Sequence, residues 1–237
     1  MVVHSVGVLA KDWNLLHAVS RFRDPQGRFH LHPLREGPVE PVLQGLAPLE
    51  FAGALILDGA SEEPASSLTQ RTSLEAQELK RVDTVTVAGG GLIGDYLAGR
   101  AVAALLAAAG WHGRDARAVL LGSGGLVSSV ARELASMGAA KVTIVAADRP
   151  AAEHSLPRLA ASTKVIATAQ ADPARSNYLA EADLVVRIDP EARVPSEFLG
   201  PHLSLVDLHP DRVTHLRHQA RSEEHTSELQ SHSRIPY

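Results

Sequence analysis

The stretch VLLGSGGLVSSVARELASMGAAKVTIVAADR, Val119–Arg149, decides the fold. A short apolar run reads as a buried strand and passes straight into Gly122, Gly124 and Gly125. A helix is predicted over Leu126–Met137 and a second strand over Lys141–Ala146. Strand, glycine turn, helix and strand in this order form a nucleotide-cradling unit. Gly122 permits the tight exit from the strand. The missing side chain at Gly124 lets backbone amides approach a pyrophosphate at the positive end of the helix. The third position of the glycine fingerprint is Val127. The cradle is therefore expected to consist of Gly122, Ser123, Gly124, Gly125, Leu126 and Val127.

Cofactor choice turns on the end of the second strand, where a carboxylate suits a ribose 2′-hydroxyl and an arginine suits a 2′-phosphate. The chain offers both, Asp148 and Arg149. A carboxylate beside a phosphate is repulsive unless it points away, whereas Arg149 can stack on adenine and pair with the phosphate. NADP is the expected cofactor, with NAD as the alternative. The plainer reading has both side chains solvating a strand end.

Working outward, the alternation continues with a helix over Ala152–Ala161, a strand over Thr163–Thr168, a helix over Pro173–Ala180 and strands over Asp183–Ile188 and Leu203–Leu208. This pattern predicts a parallel, doubly wound, Rossmann-like sheet. Upstream, HSVGVLA, RFHLHPL, FAGALIL and VDTVTVA read as strands. Between them lie helical patterns at WNLLHAVSRF, PVEPVLQGL and the polar stretch ending in SLEAQELK, an α/β domain of βαβ type. From Asp95 the pattern becomes YLAGRAVAALLAAAGW, apolar on more than one face, which suits a buried connector helix. The expected division is residues 1–98 as a substrate-binding-like domain, 99–116 as connector, 117–220 as the NADP-binding domain and 221–237 as a non-native tail.

Composition narrows the functional classes. The 237 residues are 45% hydrophobic, enough for one large core or two modest ones. A net charge of −4 and 4% aromatic residues give neither the basic field nor the stacking platforms of a nucleic-acid binder. There is no cysteine, hence no disulfide framework, thiolate nucleophile or Cys-ligated metal. The longest apolar run, Ala101–Gly110, is too short for a bilayer, so a cytoplasmic protein with a small-molecule substrate and no membrane or nucleic-acid partner is expected. His30 and His32 alternate on one strand face, but two histidines without a carboxylate at ligand spacing read as ordinary strand residues, and no metal is expected. Gly59–Ser61 lacks the frame of a nucleophile elbow.

The glycine loop, a preceding GLIG, the connector helix and a later LVDLHPDRVTHL together resemble the shikimate dehydrogenase family. The glycine loop is shared with other dinucleotide enzymes. The run Val206, Asp207, Leu208, Pro210, Thr214, Leu216 is the more telling part, and the resemblance spans roughly residues 50–216. It implies an N-terminal substrate domain joined to an NADP domain and the reduction of 3-dehydroshikimate to shikimate, a step of aromatic amino acid biosynthesis. It also implies a catalytic lysine and aspartate, an asparagine–threonine pair for the substrate, an N-terminal serine pair for its carboxylate and a C-terminal helical segment carrying a glutamine.

The departures are chemical. Ser61 stands at the lysine position and Ala98 at the aspartate position. Asp83 and Thr84 stand where asparagine and threonine contact the substrate, and Arg187 and Asp189 replace an asparagine and threonine beside the nicotinamide. The serine pair is not found in GVLAKDWNLLH. Reducing a ketone requires a proton donor at the developing alkoxide, and neither serine nor alanine is an adequate acid. A shifted alignment would offer Lys80 and Asp95 instead. The expectation is a shikimate dehydrogenase-like oxidoreductase with impaired catalysis and no catalytic residue at the usual places, or alternatively a non-catalytic NADP-binding paralogue. The tail resembles, over Arg221–Ser231, the in-frame translation of a sequencing adapter, and the C-terminal segment that the family carries is expected to be replaced by it.

Overall fold

The computed structural model describes residues 3–34, 37–157, 163–200 and 202–208. The expectations placed on Pro210, Thr214, Leu216 and the tail lie outside these residues. The chain divides into two compact units, Met1–Leu97 and Ala98–Tyr237.

Unit 1 runs β1 (His4–Leu9), α1 (Trp13–Arg21), β2 (Phe29–Leu34), α2 (Val39–Leu46), β3 (Gly53–Ile56), α3 (Gly59–Leu68), β4 (Arg71–Thr72), α4 (Leu74–Leu79), β5 (Thr84–Ala88) and β6 (Gly91–Asp95). Its sheet has the order β2-β1-β3-β5-β6-β4. β2, β1 and β3 are parallel, so the βαβ reading holds for this part. The turn before β2 is built on Asp24, whose carboxylate accepts the amides of Gln26, Arg28 and Phe29.

The remainder departs from that reading. β5 is antiparallel to both β3 and β6. Gly89 and Gly90, at φ 60° and 80°, make a two-residue turn in the left-handed region. Such a turn joins only antiparallel neighbours, so Gly89–Gly90 is the tip of a β5–β6 hairpin. The polar helical stretch is also split, because Arg71–Thr72 pairs with β6 between α3 and α4. Val8, Leu43, Ile56, Val82 and Val85 form the most deeply buried part of this unit.

Unit 2 runs α5 (Ala98–Ala108), β7 (Arg117–Leu121), α6 (Gly125–Ser136), β8 (Lys141–Ala146), α7 (Arg149–His154), β9 (Lys164–Ala169), α8 (Arg175–Ala180), β10 (Leu184–Arg187) and β11 (Ser204–Asp207). The sheet order is β11-β10-β7-β8-β9, parallel throughout. Successive residues of β7 point to opposite faces. Ala118 and Leu120 pack with Val102 and Leu106 of α5 and Val127, Val130 and Leu134 of α6, while Val119 and Leu121 pack with Leu179 and Val185. Both faces are covered, which is why β7, β8 and β10 read as nearly continuous apolar runs.

Each sheet has a place where the strand order reverses about its first strand. In unit 2 the chain leaves β7 toward β8 and β9 and returns to place β10 on the other side of β7. In unit 1 it leaves β1 toward β2 and returns to place β3 on the other side of β1. The carboxyl ends of the strands that flank such a reversal bound a crevice, the usual ligand position in open α/β sheets.

Candidate functional site

The crevice of unit 2 lies between the ends of β7 and β10. Gly122, at φ 141°, turns the chain out of β7. A Cβ there would meet the Asp189 amide nitrogen at 3.1 Å and the Ile188 Cβ at 3.3 Å. Only glycine allows the two strand ends to approach this closely. Gly124, at φ 91°, differs: a Cβ there would meet no heavy atom within 4 Å. The space beside it is open, and the first-turn amides of α6, which start at Gly125, have no acceptor within the helix.

The predicted cradle is thus brought together, with roles the sequence did not separate. Val127 is completely buried in the core between α6 and the sheet, so it offers a ligand only its backbone. The Gly124 amide is already engaged, donating to Ser155 Oγ at 2.8 Å, and Ser155 Oγ donates to the Ala151 carbonyl at 2.8 Å. Ser155 therefore fixes the glycine loop against α7. It was missed because a serine 31 residues from the loop carries no local pattern.

Asp148 and Arg149 sit side by side at the start of α7 and face different partners. The Asp148 carboxylate caps α7 by accepting the Ala151 amide at 2.8 Å. Arg149 is exposed and donates from Nε to Glu153 Oε1 at 2.8 Å. A cap and an i,i+4 ion pair are the local interactions that this spacing favours.

The far wall carries the two departures noted beside the nicotinamide position. Arg187 is buried and forks onto Asp207, with Nη2 to Oδ2 at 2.7 Å and Nε to Oδ1 at 3.2 Å, and its Nη1 donates to the Pro190 carbonyl at 2.8 Å. Asp189 folds its carboxylate back on the Glu191 amide at 2.8 Å. Asp207 belongs to the Val-Asp-Leu run, so a motif residue of one strand is answered by a departure on its neighbour in direct register.

Unit 1 holds the residues assigned to the substrate. Asp83 is buried, and its oxygens accept the Leu97 amide at 2.8 and 2.9 Å and the Thr84 hydroxyl at 2.9 Å. Near it, burial holds the Glu62 carboxyl above the usual carboxylate range against the opposing pull of Arg81, 3.2 Å away. Burial, with Glu62 and Asp83, also raises the buried Tyr96 hydroxyl above its ordinary range. Ser61, on α3, donates to Asp58 Oδ2 at 2.7 Å. Ala98 opens α5 and brings no polar side chain. Lys80 is an exposed left-handed cap of α4 and Asp95 ends β6 opposite Thr84; among the described residues no ion pair joins them. His30 and His32 do share a face, with ring centroids 4.5 Å apart. Among the described residues no group of three or more His, Asp or Glu is placed to hold a metal, and no helix is long and apolar enough to cross a membrane.

The chain is an α/β protein with a mixed sheet in one unit and a parallel, doubly wound sheet in the other. Set against solved structures, it has the shikimate dehydrogenase fold. It superposes on a shikimate 5-dehydrogenase from Listeria monocytogenes solved with shikimate and NAD, with a TM-score of 0.73, 16% identity and coverage of 93% of this chain and 83% of that one. A shikimate dehydrogenase in complex with NADP+ gives 0.69 at 17% identity, covering 94% and 83%. The ligand-free 5-ketofructose reductase of Gluconobacter sp. strain CHM43 gives 0.68 at 19% identity, covering 89% and 80%. No family model and no curated protein sequence matches the chain.

Proposed function

We propose that the chain is a nicotinamide-dinucleotide-dependent, shikimate dehydrogenase-like oxidoreductase acting on a small polyol acid, with weak turnover of shikimate itself. The observation that carries this reading is the open space at Gly124 beside the first-turn amides of α6, which have no acceptor within the helix, at the reversal point of a parallel sheet. Gly122, Ser123, Gly124, Gly125, Leu126 and Val127 would hold the pyrophosphate through backbone groups. Bound there, a dihydronicotinamide supplies a hydride.

NADP is preferred over NAD in this reading because Asp148 turns its carboxylate into α7 while Arg149 projects a guanidinium into solvent. The domain roles follow: residues 1–98 for substrate, 117–220 for cofactor, with α5 leading from one to the other. Weak shikimate turnover follows from Ser61 and Ala98, which leave the reacting oxygen without the usual acid; losing general acid–base assistance costs about a hundredfold to ten-thousandfold. Those two residues equally favour a second reading, a dinucleotide-binding protein without turnover.

Fluorescence titration with NADPH and NADH, followed by NADP-linked oxidation of shikimate and quinate, tests the reading. Arg149→Ala is expected to weaken NADPH by about 1.5–3 kcal/mol, as the loss of a charge-assisted hydrogen bond does, and to leave NADH nearly unchanged. Equal losses for both cofactors would remove the 2′-phosphate from Arg149. Failure of either cofactor to bind would end the oxidoreductase reading.

A further inference from the structure

Beyond the end of β8, Arg149 is surrounded by carboxylates that do different work. Asp148 turns its carboxylate onto the Ala151 amide, so it serves the start of α7. Glu153, one turn further along α7, accepts Arg149 Nε through Oε1 at 2.8 Å. Asp172, in the connection between β9 and α8, lies within electrostatic range of the same guanidinium. Its oxygens accept the Thr168 hydroxyl at 2.6 Å and the Ala174 amide at 2.8 Å, which fixes where its charge sits. Those two bonds, with Arg149 adding to them, hold the Asp172 carboxyl below the ordinary carboxylate range.

One cation therefore faces two carboxylates, and the local charge is negative before any ligand arrives. A guanidinium offers five N–H donors in a planar fork, and Glu153 has already taken the Nε edge. A phosphate monoester carries roughly two negative charges at neutral pH, so on approaching Arg149 it meets like charge at bonding distance from the guanidinium. A ribose hydroxyl is uncharged and can donate to a carboxylate, so it meets no such opposition. The Arg149 side chain is 72% exposed and that of Glu153 51% exposed, so no packing locks the pair and a more highly charged anion can displace it.

We propose that Glu153 is a specificity-determining residue of the dinucleotide site: it occupies Arg149 as an internal stand-in for a 2′-phosphate, so that NADP binds only by displacing it and the preference for NADP over NAD is held down. This role rests on the dinucleotide reading of unit 2 and adds to it a residue whose effect is opposite in sign to that of Arg149. Removing the arginine weakens the phosphorylated cofactor; removing the glutamate strengthens it.

Glu153→Gln keeps the length and hydrogen-bonding capacity of the side chain and deletes only its charge. In calorimetric titrations of the full chain at low salt, it is expected to tighten NADPH about two- to fivefold and to leave NADH within about 1.5-fold, the range of an exposed ion pair. Glu153→Ala should repeat the gain, which excludes an effect of the new amide. The gain should shrink in 0.5 M salt, where exposed charges are screened within a few ångströms. In an Arg149→Ala background the same replacement should change NADPH affinity by less than about 1.5-fold, because no guanidinium is left to release. An unmoved ratio of NADPH to NADH affinity, equal gains for both cofactors, or a gain undiminished without Arg149 overturns the role of Glu153 while leaving cofactor binding in place. Failure of both cofactors to bind any of these variants removes the dinucleotide reading and this role with it.

Discussion

The crevice in unit 2 is lined by backbone: Gly122 brings β7 against Ile188 and Asp189, and Gly124 leaves space beside the first-turn amides of α6. The crevice in unit 1 is spanned by side chains: Lys11 reaches from β1 to Asp58 beyond β3, with Ser61 on the same carboxylate. Both lie at the reversal point of a sheet, so topology alone marks them equally. They differ in how their chemistry is encoded. A backbone site needs residues without side chains, adjacent in sequence and in fixed order, whereas a side-chain site can be assembled from residues 47 positions apart, as Lys11 and Asp58 show. The first survives divergence as a visible motif. The second can be rebuilt from different residues on different elements and leaves no motif.

This contrast can be broken most forcefully at the far wall of the unit 2 crevice, where a side-chain pair does the holding. Arg187→Met would remove the guanidinium that forks onto the Asp207 carboxylate, and is expected to cost about 3–5 kcal/mol in chemical denaturation. Adding Asp207→Leu should recover most of that loss. If Arg187→Met is neutral, the wall is not held by the ion pair.

The glycines sharpen the comparison next. Gly122→Ala places a Cβ 3.1 Å from a backbone nitrogen at a positive φ, and a stability loss of about 1–3 kcal/mol is expected in thermal melts, with NADPH binding lost alongside. Gly124→Ala meets no protein atom, so its stability loss should be smaller while NADPH affinity still drops roughly tenfold, about 1.4 kcal/mol. The reverse order of stabilities would mean that Gly124 serves the fold and not a ligand.

The smallest effect belongs to Asp58 and pH. Its carboxyl is held below the ordinary carboxylate range in the folded chain, so the stability it contributes is fully present above the unfolded value and is lost as pH falls through the lower folded value. Asp58→Ala should therefore cost about 1 kcal/mol near neutrality, the usual worth of a helix cap, and nothing in strong acid. Asp58→Asn should show little loss at either pH. A loss that persists unchanged into acid would assign the effect to packing.

Much of the fold was legible in the sequence for a physical reason that also explains where reading failed. In unit 2 every strand lies in a parallel sheet and, from β7 to β10, is apolar and separated from the next by a helix, so period and order reveal the layout. In unit 1 the Gly89–Gly90 run signals a turn, but glycine marks turns of every kind, and only the partner strand tells a hairpin from an exit. Short β4 has no period to read at all. At the sites, Gly122 and Gly124 announced themselves, while Ser155, Lys11 and Asp58 did not.

The sequence by itself determined most of the elements, the parallel alternation after Val119 and a glycine turn fit for a pyrophosphate, because these depend on local conformation and on burial repeated along one segment. Only the tertiary structure decided that Asp148 caps a helix while Arg149 stays exposed, that Arg187 answers Asp207, and that Lys11 meets Asp58 across a sheet reversal. Hydrogen bonds and ion pairs between distant residues depend on distances of a few ångströms that no local pattern encodes, and they are set only when the strands that carry them come into register.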